Sequence, residues 1–492
     1  MLETYFSKFR NNIIGIDQTF ESPFGIKKIV YADWTASGRL YSGIEDTLRN
    51  DIMPLVANTH TETTVTGTAM TQAYHLAKTV IKDHVNANKN DALIFAGTGM
   101  TGVINKLQRI LGFKYPEHPL QYLKDGNSFE FDDEKLPVVF ITHMEHHSNQ
   151  TTWLEASVIV EIIGQTGDGL VDVNDLNRLL EKHKHRSLKI ASVTACSNVT
   201  GIKTPYHEIA KLMHENKGYC FVDFACSAPY VNIDMHPENE LEALDVVFLS
   251  PHKFLGGPAT SGVMVLNKEL YKKDIPDNPG GGTVTFTDPW GHHGYINDIE
   301  TREDGGTPGF LQGIKTALAV KLKEDMGVDN ILKREEELID IVFEHFDKMG
   351  ETVHVLADQH RDRLGVFSFY VEGLHYNLLV KMLNDRFGIQ SRGGCACAGT
   401  YGHILLNVNQ DFSSKIVCEI LAGNNSEKPG WVRMSIHPTM TNAEVTYIME
   451  SINAIVENSN EWKKDYNYDS ISNEFIFNGT YPQIDVSKWF NA

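Results

Sequence analysis

Between residues 91 and 266 the chain alternates short apolar runs with amphipathic helical runs, and no other feature restricts its fold so strongly. Residues 91–97 (DALIFAG) predict a buried strand, and the helix after it carries Met100, Val103, Ile104, Leu107, Ile110 and Leu111 at helical spacing. Further strands are expected over 136–142, 188–194, 219–224, 245–249 and 261–266. A helix over 206–217 is expected to stop at Gly218 in a left-handed C-terminal cap. Strands that alternate with helices build a mostly parallel sheet covered on both faces. Sheets of that kind bind ligands at the carboxyl ends of their strands.

After residue 308 the pattern changes. A long helical region over 309–349, a strand over 365–371, a helix over 376–386 and a last helix over 442–456 predict a separate α+β domain. With 492 residues the chain has room for both: a large α/β domain over 30–308 and a smaller one from 1–29 and 309–492. The tail from Glu461 mixes aromatic and polar residues and predicts no particular element.

Charge narrows the function. Lys and Arg number 44 against 64 Asp and Glu, a formal charge of -20, which repels phosphate backbones and anionic membrane surfaces. Nucleic acid and membrane are therefore not expected partners. The N-terminus lacks a basic region followed by an apolar run, and no stretch stays apolar for the ~18 residues a span needs, so a cytoplasmic location is expected. The 6 cysteines are too few for a disulfide framework in so long a chain and read as free thiols.

Five expected strands run into segments with reactive or phosphate-suited residues. Ala96-Gly97-Thr98-Gly99-Met100-Thr101 is a small-residue turn into a helix, whose amides and dipole favour a phosphate. Met144-Glu145-His146-His147-Ser148-Asn149 offers an imidazole that could lie on an aromatic ligand or move a proton. Cys196-Ser197-Asn198-Val199-Thr200-Gly201 offers an amide side chain. Val222-Asp223-Phe224-Ala225 ends an apolar strand on an acid, which is costly to bury unless something positive meets it. Ser250-Pro251-His252-Lys253-Phe254 places a lysine that can form an imine with an aldehyde cofactor. Taken singly, each segment reads equally as an ordinary turn or loop.

Together, and in this order, these segments resemble the class V aminotransferases, fold-type-I pyridoxal-phosphate enzymes, and most closely the cysteine desulfurase and selenocysteine lyase branch. The resemblance runs from Tyr31-Ala32-Asp33-Trp34-Thr35-Ala36 to about Glu444. It implies a seven-stranded, mostly parallel sheet in the large domain and pyridoxal 5'-phosphate held as a Schiff base on Lys253. Thr98, Gly99, Met100, Thr101, Ser250 and His252 would surround the phosphate. His146 would stack on the ring, Asn198 would lie near the ring hydroxyl, and Asp223, followed by Ala225, would meet the ring nitrogen. Gly280-Gly281-Gly282-Thr283 resembles a loop that reaches a phosphate across a dimer interface, which implies a homodimer and a role for Thr283. Gly305-Gly306-Thr307-Pro308 matches a segment before the small domain.

The same resemblance assigns substrate contacts. Arg433, in Val432-Arg433-Met434-Ser435, falls where the family holds the substrate carboxylate, and a planar guanidinium suits bidentate pairing. In Ser391-Arg392-Gly393-Gly394-Cys395-Ala396-Cys397-Ala398, Arg392 would be a second carboxylate contact and Cys397 the nucleophile. His60 resembles an active-site histidine. The implied reaction takes cysteine or selenocysteine, uses Lys253 as base and Asp223 as ring acid, and leaves alanine and a Cys397 persulfide, with a protein sulfur acceptor as a further partner.

Three departures bear on this reading. Cys226 stands where most members have a glutamine on the ring hydroxyl. Cys395 stands where desulfurases usually have histidine, so either thiol could be the nucleophile, or one could receive sulfur from the other. Residues 401–430 form an apparent insertion. Other class V reactions, namely transamination, carbon-sulfur lysis and epimerisation, use the same scaffold. A metal-binding or sulfur-relay protein built on Cys395, Cys397 and His403 is the remote alternative, since that spacing is not that of a closed zinc site; no metal is expected.

Overall fold

The computed structural model describes residues 2–114 and 133–491. They form two compact units, one of 36–198 and 202–329, the other of 1–35, 199–201 and 330–492.

The larger unit is built on seven strands: β1 (Asp91–Phe95), β2 (Val138–Thr142), β3 (Ile159–Ile163), β4 (Lys189–Thr194), β5 (Tyr219–Asp223), β6 (Val246–Leu249) and β7 (Val263–Asn267). Their order is β1-β7-β6-β5-β4-β2-β3, in the seven-stranded, mostly parallel sheet that the resemblance implies. Strand β7 runs antiparallel to β1 and β6, and the remaining pairs are parallel. Two reversals through β7 leave β1 parallel to β6, so the carboxyl ends of six strands lie along one edge. β3 (IVEII) is not among the expected strands although four of its five residues are apolar; Glu161 interrupts the run.

Apolar stripes explain the helices on this sheet. Met100, Val103, Ile104, Leu107 and Ile110 of Met100–Ile110 are buried with Trp153, Ile141, Phe221 and Phe248. Each such side chain contributes about 1.5–3 kcal/mol by leaving water. The expected helix over 309–349 is two helices, Phe310–Met326 and Val328–Met349, interrupted at Gly327, whose φ of 73° leaves the helical region. Phe310–Met326 packs on Val65–His84 and so belongs to the larger unit, which moves the boundary from 308 to 329.

The smaller unit contains an antiparallel sheet of β8 (Val353–Val355), β9 (Val366–Val371), β10 (Arg392–Gly394) and β11 (Trp431–Ser435), in the order β8-β9-β11-β10. Phe343 and Phe346 pack on Phe367 of β9, with ring centroids 5.6 and 6.4 Å away. The N-terminal contribution extends to Thr35 rather than residue 29, because Val30–Tyr31 pairs in parallel with Ile389–Gln390 and Ala32 O accepts from Ser435 N. The tail forms a hairpin, Tyr466–Asp469 with Glu474–Phe477, whose Tyr468 and Phe475 rings lie 5.4 and 5.2 Å from that of His375. Among the described residues no helix is long and apolar enough to cross a membrane.

The cap after Tyr206–Glu215 differs from expectation. The left-handed residue is Lys217, at φ 58°, and Gly218 N–H closes the turn on Met213 O at 2.7 Å. Gly218 is needed for space instead: a Cβ there would stand 2.6 Å from Met213 Cε and 3.0 Å from Lys189 O. Gly218→Ala is therefore expected to lower stability by about 1–3 kcal/mol. Lys217→Gly should raise it by about 1 kcal/mol by relieving the left-handed strain. Thermal unfolding midpoints of the two variants against wild type check both signs.

Candidate active site

At the carboxyl edge of the larger unit, the turn after β1 is drawn tight by its glycines. Gly97 has φ 57°, and a Cβ on it would lie 3.2 Å from Gly102 Cα. Gly99 is extended, and its requirement is room: a Cβ there would come within 3.0 Å of His252 Cε1 and 3.2 Å of Ser250 Oγ. Met100 N–H donates to Ser250 Oγ at 2.9 Å. His252 Nδ1 donates to Thr98 O at 3.0 Å, because a carbonyl only accepts. Thr101 Oγ1 lies 2.6 Å from Ser148 Oγ. Thr98, Gly99, Met100, Ser250 and His252 are thus brought together, with Thr101 joined to the His146 segment.

Lys253 ends the single turn Pro251–Lys253 after β6. Asp223 is the last residue of β5, in register with Thr194 of β4 and Phe248 of β6. Its Oδ1 accepts from Ala225 N–H at 2.8 Å. Burial pushes its carboxyl up to about 6, against the opposing effects of that hydrogen bond and the Lys253 charge. An acid left so by its surroundings suits a cationic partner.

His146 caps the helix His147–Leu154, its Nδ1 accepting from Ser148 N–H at 3.1 Å, which leaves the ring proton of the neutral form on Nε2. Asn198 is buried. Cys226 Sγ lies 3.9 Å from Ser197 O, so a thiol stands where the resemblance expects an amide donor.

Glu145 is the important residue that sequence reasoning missed, although it lies inside a quoted motif. Its Oε1 accepts from Thr142 Oγ1 at 2.6 Å, Thr142 N at 3.2 Å and Thr194 N at 2.9 Å, and its Oε2 accepts from Asn149 Nδ2 at 2.7 Å. One carboxylate thereby ties the ends of β2 and β4 to the helix that His146 caps. The sequence signal available was an acid three residues past a buried strand.

Thr283 sits in a loop that closes on itself. Its hydroxyl is buried and donates to Gly280 O at 2.6 Å within its own loop, so within this chain it does not join the Gly99 turn. That loop is held by Gly306 N–H on Gly281 O at 2.8 Å. His60, exposed at φ 67°, lies against it, with ring atoms 3.3 Å from the Cβ position of Gly282. Behind the loop, buried Lys78 pairs with Asp304 at 2.8 Å and Lys106 with Glu303 at 2.7 Å, anchoring the residues before Gly305.

In the smaller unit, Arg392 of β10 and Arg433 of β11 are direct cross-strand partners. Both meet Asp33, through Arg433 Nη2 to Oδ1 at 2.9 Å and Arg392 Nη2 to Oδ2 at 3.1 Å. After β10 the chain turns with Ala398 N–H on Cys395 O at 3.0 Å, and the two central residues, Ala396 and Cys397, have φ 48° and 57°. Cys397 is exposed and Cys395 partly buried. A non-glycine residue in left-handed backbone is uncommon and costs energy, of order 1–3 kcal/mol. Residues 401–430 supply the helix Gln410–Leu421 and most of Gly399–Leu405. His403 faces Gly399 O at 2.7 Å and Ser413 Oγ at 2.9 Å rather than the cysteines, and among the described residues no group of three or more His, Cys, Asp or Glu could hold a metal.

Residues 128–448, more than half of the chain, match the family aminotransferase class-V. A probable cysteine desulfurase of Staphylococcus aureus (strain Mu50) is 27% identical over 376 residues, covering 76% of this chain and 84% of that protein. Another, from Halobacterium salinarum, is 32% identical over 267 residues, covering 53% of this chain and 60% of its own length. The solved cysteine desulfurase of Thermococcus onnurineus shares the fold with a TM-score of 0.71 at 20% identity, covering 92% of this chain and 98% of that one. One from Escherichia coli does so with a TM-score of 0.70 at 18% identity, with the same coverage.

The raised acids give a pH signature. Burial pushes Glu145 up to about 7 from 4.5. The folded protein then holds a proton that the unfolded chain has released, so this contribution is fully present below pH 4.5 and is lost as pH rises through 7. Asp223 acts in the same sense between 3.8 and about 6. Urea midpoints measured at pH 4.5 and pH 7.5 should fall less with rising pH in Glu145→Gln than in wild type.

Proposed function

Because the chain belongs to the class-V aminotransferase family, we propose that it is a pyridoxal-phosphate-dependent cysteine desulfurase or selenocysteine lyase, forming alanine from L-cysteine and a persulfide on Cys397. The observation that carries the reaction is Cys397 exposed on a tight left-handed turn directly after the strand of Arg392. Relatives named probable cysteine desulfurase support the same choice.

The residues fit the cofactor. The Gly99 turn leaves room where a Cβ would meet His252 and Ser250, and the buried Asp223 suits a ring nitrogen that carries a proton. Thr98, Gly99, Met100, Thr101, Ser250 and His252 would hold the phosphate, His146 would lie on the ring, Asn198 and Ala225 would border it, and Lys253 would carry the aldehyde carbon. When bound, the cofactor supplies an electron sink for negative charge at the substrate α-carbon. Thr283 would serve a second copy in a homodimer.

The remaining work falls to this chain's own groups. Arg433 and Arg392 hold the substrate carboxylate by charge-assisted hydrogen bonds, with His60 as a further substrate contact. The Lys253 amine removes the α proton, and Asp223 keeps the ring nitrogen protonated. Cys397 attacks the substrate sulfur as a thiolate; its S–S bond forms as the substrate C–S bond breaks, and the carbon fragment takes up protons to become alanine. The persulfide then passes to a reductant or protein acceptor, in a cytoplasmic setting.

Alanine formed from L-cysteine under reducing conditions tests the reaction. Wild type should produce it, Cys397→Ala should lose about 100-fold or more, and Cys395→Ala should keep most of it. Loss only in Cys395→Ala would reverse the two thiols, and no alanine from any cofactor-loaded form would move the assignment to another class V reaction. Selenide release that survives Cys397→Ala would favour the selenocysteine branch. Separately, Gly99→Ala should weaken pyridoxal-phosphate binding about tenfold, read by equilibrium dialysis.

A further inference from the structure

We propose that Asp33 is the positioning residue of the substrate-carboxylate site, holding Arg392 and Arg433 side by side and leaving the pair with one net positive charge. The inference rests on reading those two arginines as substrate contacts.

Three observations carry it. Arg392 and Arg433 stand directly opposite each other on β10 and β11, where like charges repel at close range. The Arg433 side chain is only 5% exposed, so its charge needs a fixed counter-ion, whereas that of Arg392 is 50% exposed and stays hydrated. Asp33, 13% exposed, gives one oxygen to each: Oδ1 to Arg433 Nη2 at 2.9 Å, and Oδ2 to Arg392 Nε and Nη2, both at 3.1 Å.

Asp33 itself is held firmly. Ala32 O accepts from Ser435 N at 2.7 Å, Thr35 N donates to Ser435 Oγ at 2.9 Å, and the Trp34 ring stacks on His437 with centroids 4.1 Å apart. The segment that bears the acid is thus clamped to the end of the strand that bears Arg433.

Removing the acid has two opposed effects on a bound carboxylate. It adds one unit of positive charge at a half-hydrated position, which is weakly attractive because water screens it. It also takes from a buried guanidinium the carboxylate oxygen at 2.9 Å and leaves it facing a like charge, a much larger penalty. The second effect wins, so Asp33 favours substrate binding rather than competing with it.

Titration calorimetry of the cofactor-loaded protein with L-alanine and L-alanine methyl ester tests this, since only the first has a free carboxylate. Asp33→Asn should weaken L-alanine binding about tenfold and the ester by less than about twofold. Asp33→Glu should recover part of the loss, which also covers an Asn variant that folds poorly. Unchanged or tighter L-alanine binding in Asp33→Asn, or equal weakening of both ligands, would overturn the proposal. Arg433→Met probes the underlying reading: if it leaves L-alanine affinity unchanged, the carboxylate is held elsewhere and both ideas fail. If it weakens binding while Asp33→Asn does not, the role of Asp33 alone is lost.

Discussion

Two carboxyl groups, Glu145 and Asp223, are buried completely at the carboxyl edge of the seven-stranded sheet, and the organisation of that edge follows from how each is accommodated. Glu145 takes its hydrogen bonds from the ends of β2 and β4 and from Asn149. It therefore sets where the helix capped by His146 begins. Asp223 receives little beyond the Ala225 amide and the field of Lys253. One acid is satisfied by several donors of the fold; the other takes one backbone amide. Both are pushed up by the same desolvation, and they differ in how many of the fold's own donors meet them.

A comparable division appears in the smaller unit. Arg433 is buried and Arg392 half exposed, and a single acid spans them. A cross-strand pair of arginines is unfavourable in isolation, and the N-terminal segment offsets that repulsion by bringing Asp33 to it. The cysteine turn follows directly. Its left-handed backbone at Ala396 and Cys397 carries strain of the kind that concentrates at reactive positions, and it presents Cys397 to solvent while Cys395 stays partly covered.

Much of this was legible in the chain. Six of the seven strands announce themselves as apolar runs, because a strand buried on both faces must be apolar throughout. β3, at the sheet edge, is apolar too except at Glu161, which interrupts its run. The reactive segments could be picked out because they follow buried strands directly. Gly218 shows the opposite case: the glycine was visible, but its reason was steric crowding by Met213 and Lys189, and the left-handed position fell to Lys217. The tail gave no periodic signal because it forms a short hairpin stabilised by contacts with His375 and Asn377, far away in the chain.

The sequence by itself determined most of the succession of strands and helices and the class of sheet, and it singled out the residues proposed to hold a phosphate, an aldehyde and a carboxylate. These depend on local pattern and side-chain chemistry, which a chain carries whether or not it is folded. Only the tertiary structure decided that Glu145 is the tie between β2 and β4, that Thr283 turns into its own loop, and that Asp33 stands between Arg392 and Arg433. Those outcomes rest on distances between residues up to 400 positions apart. The Glu145 tie and the Asp33 bridge are set by which strands pair and in what register, and no local window of sequence contains that information.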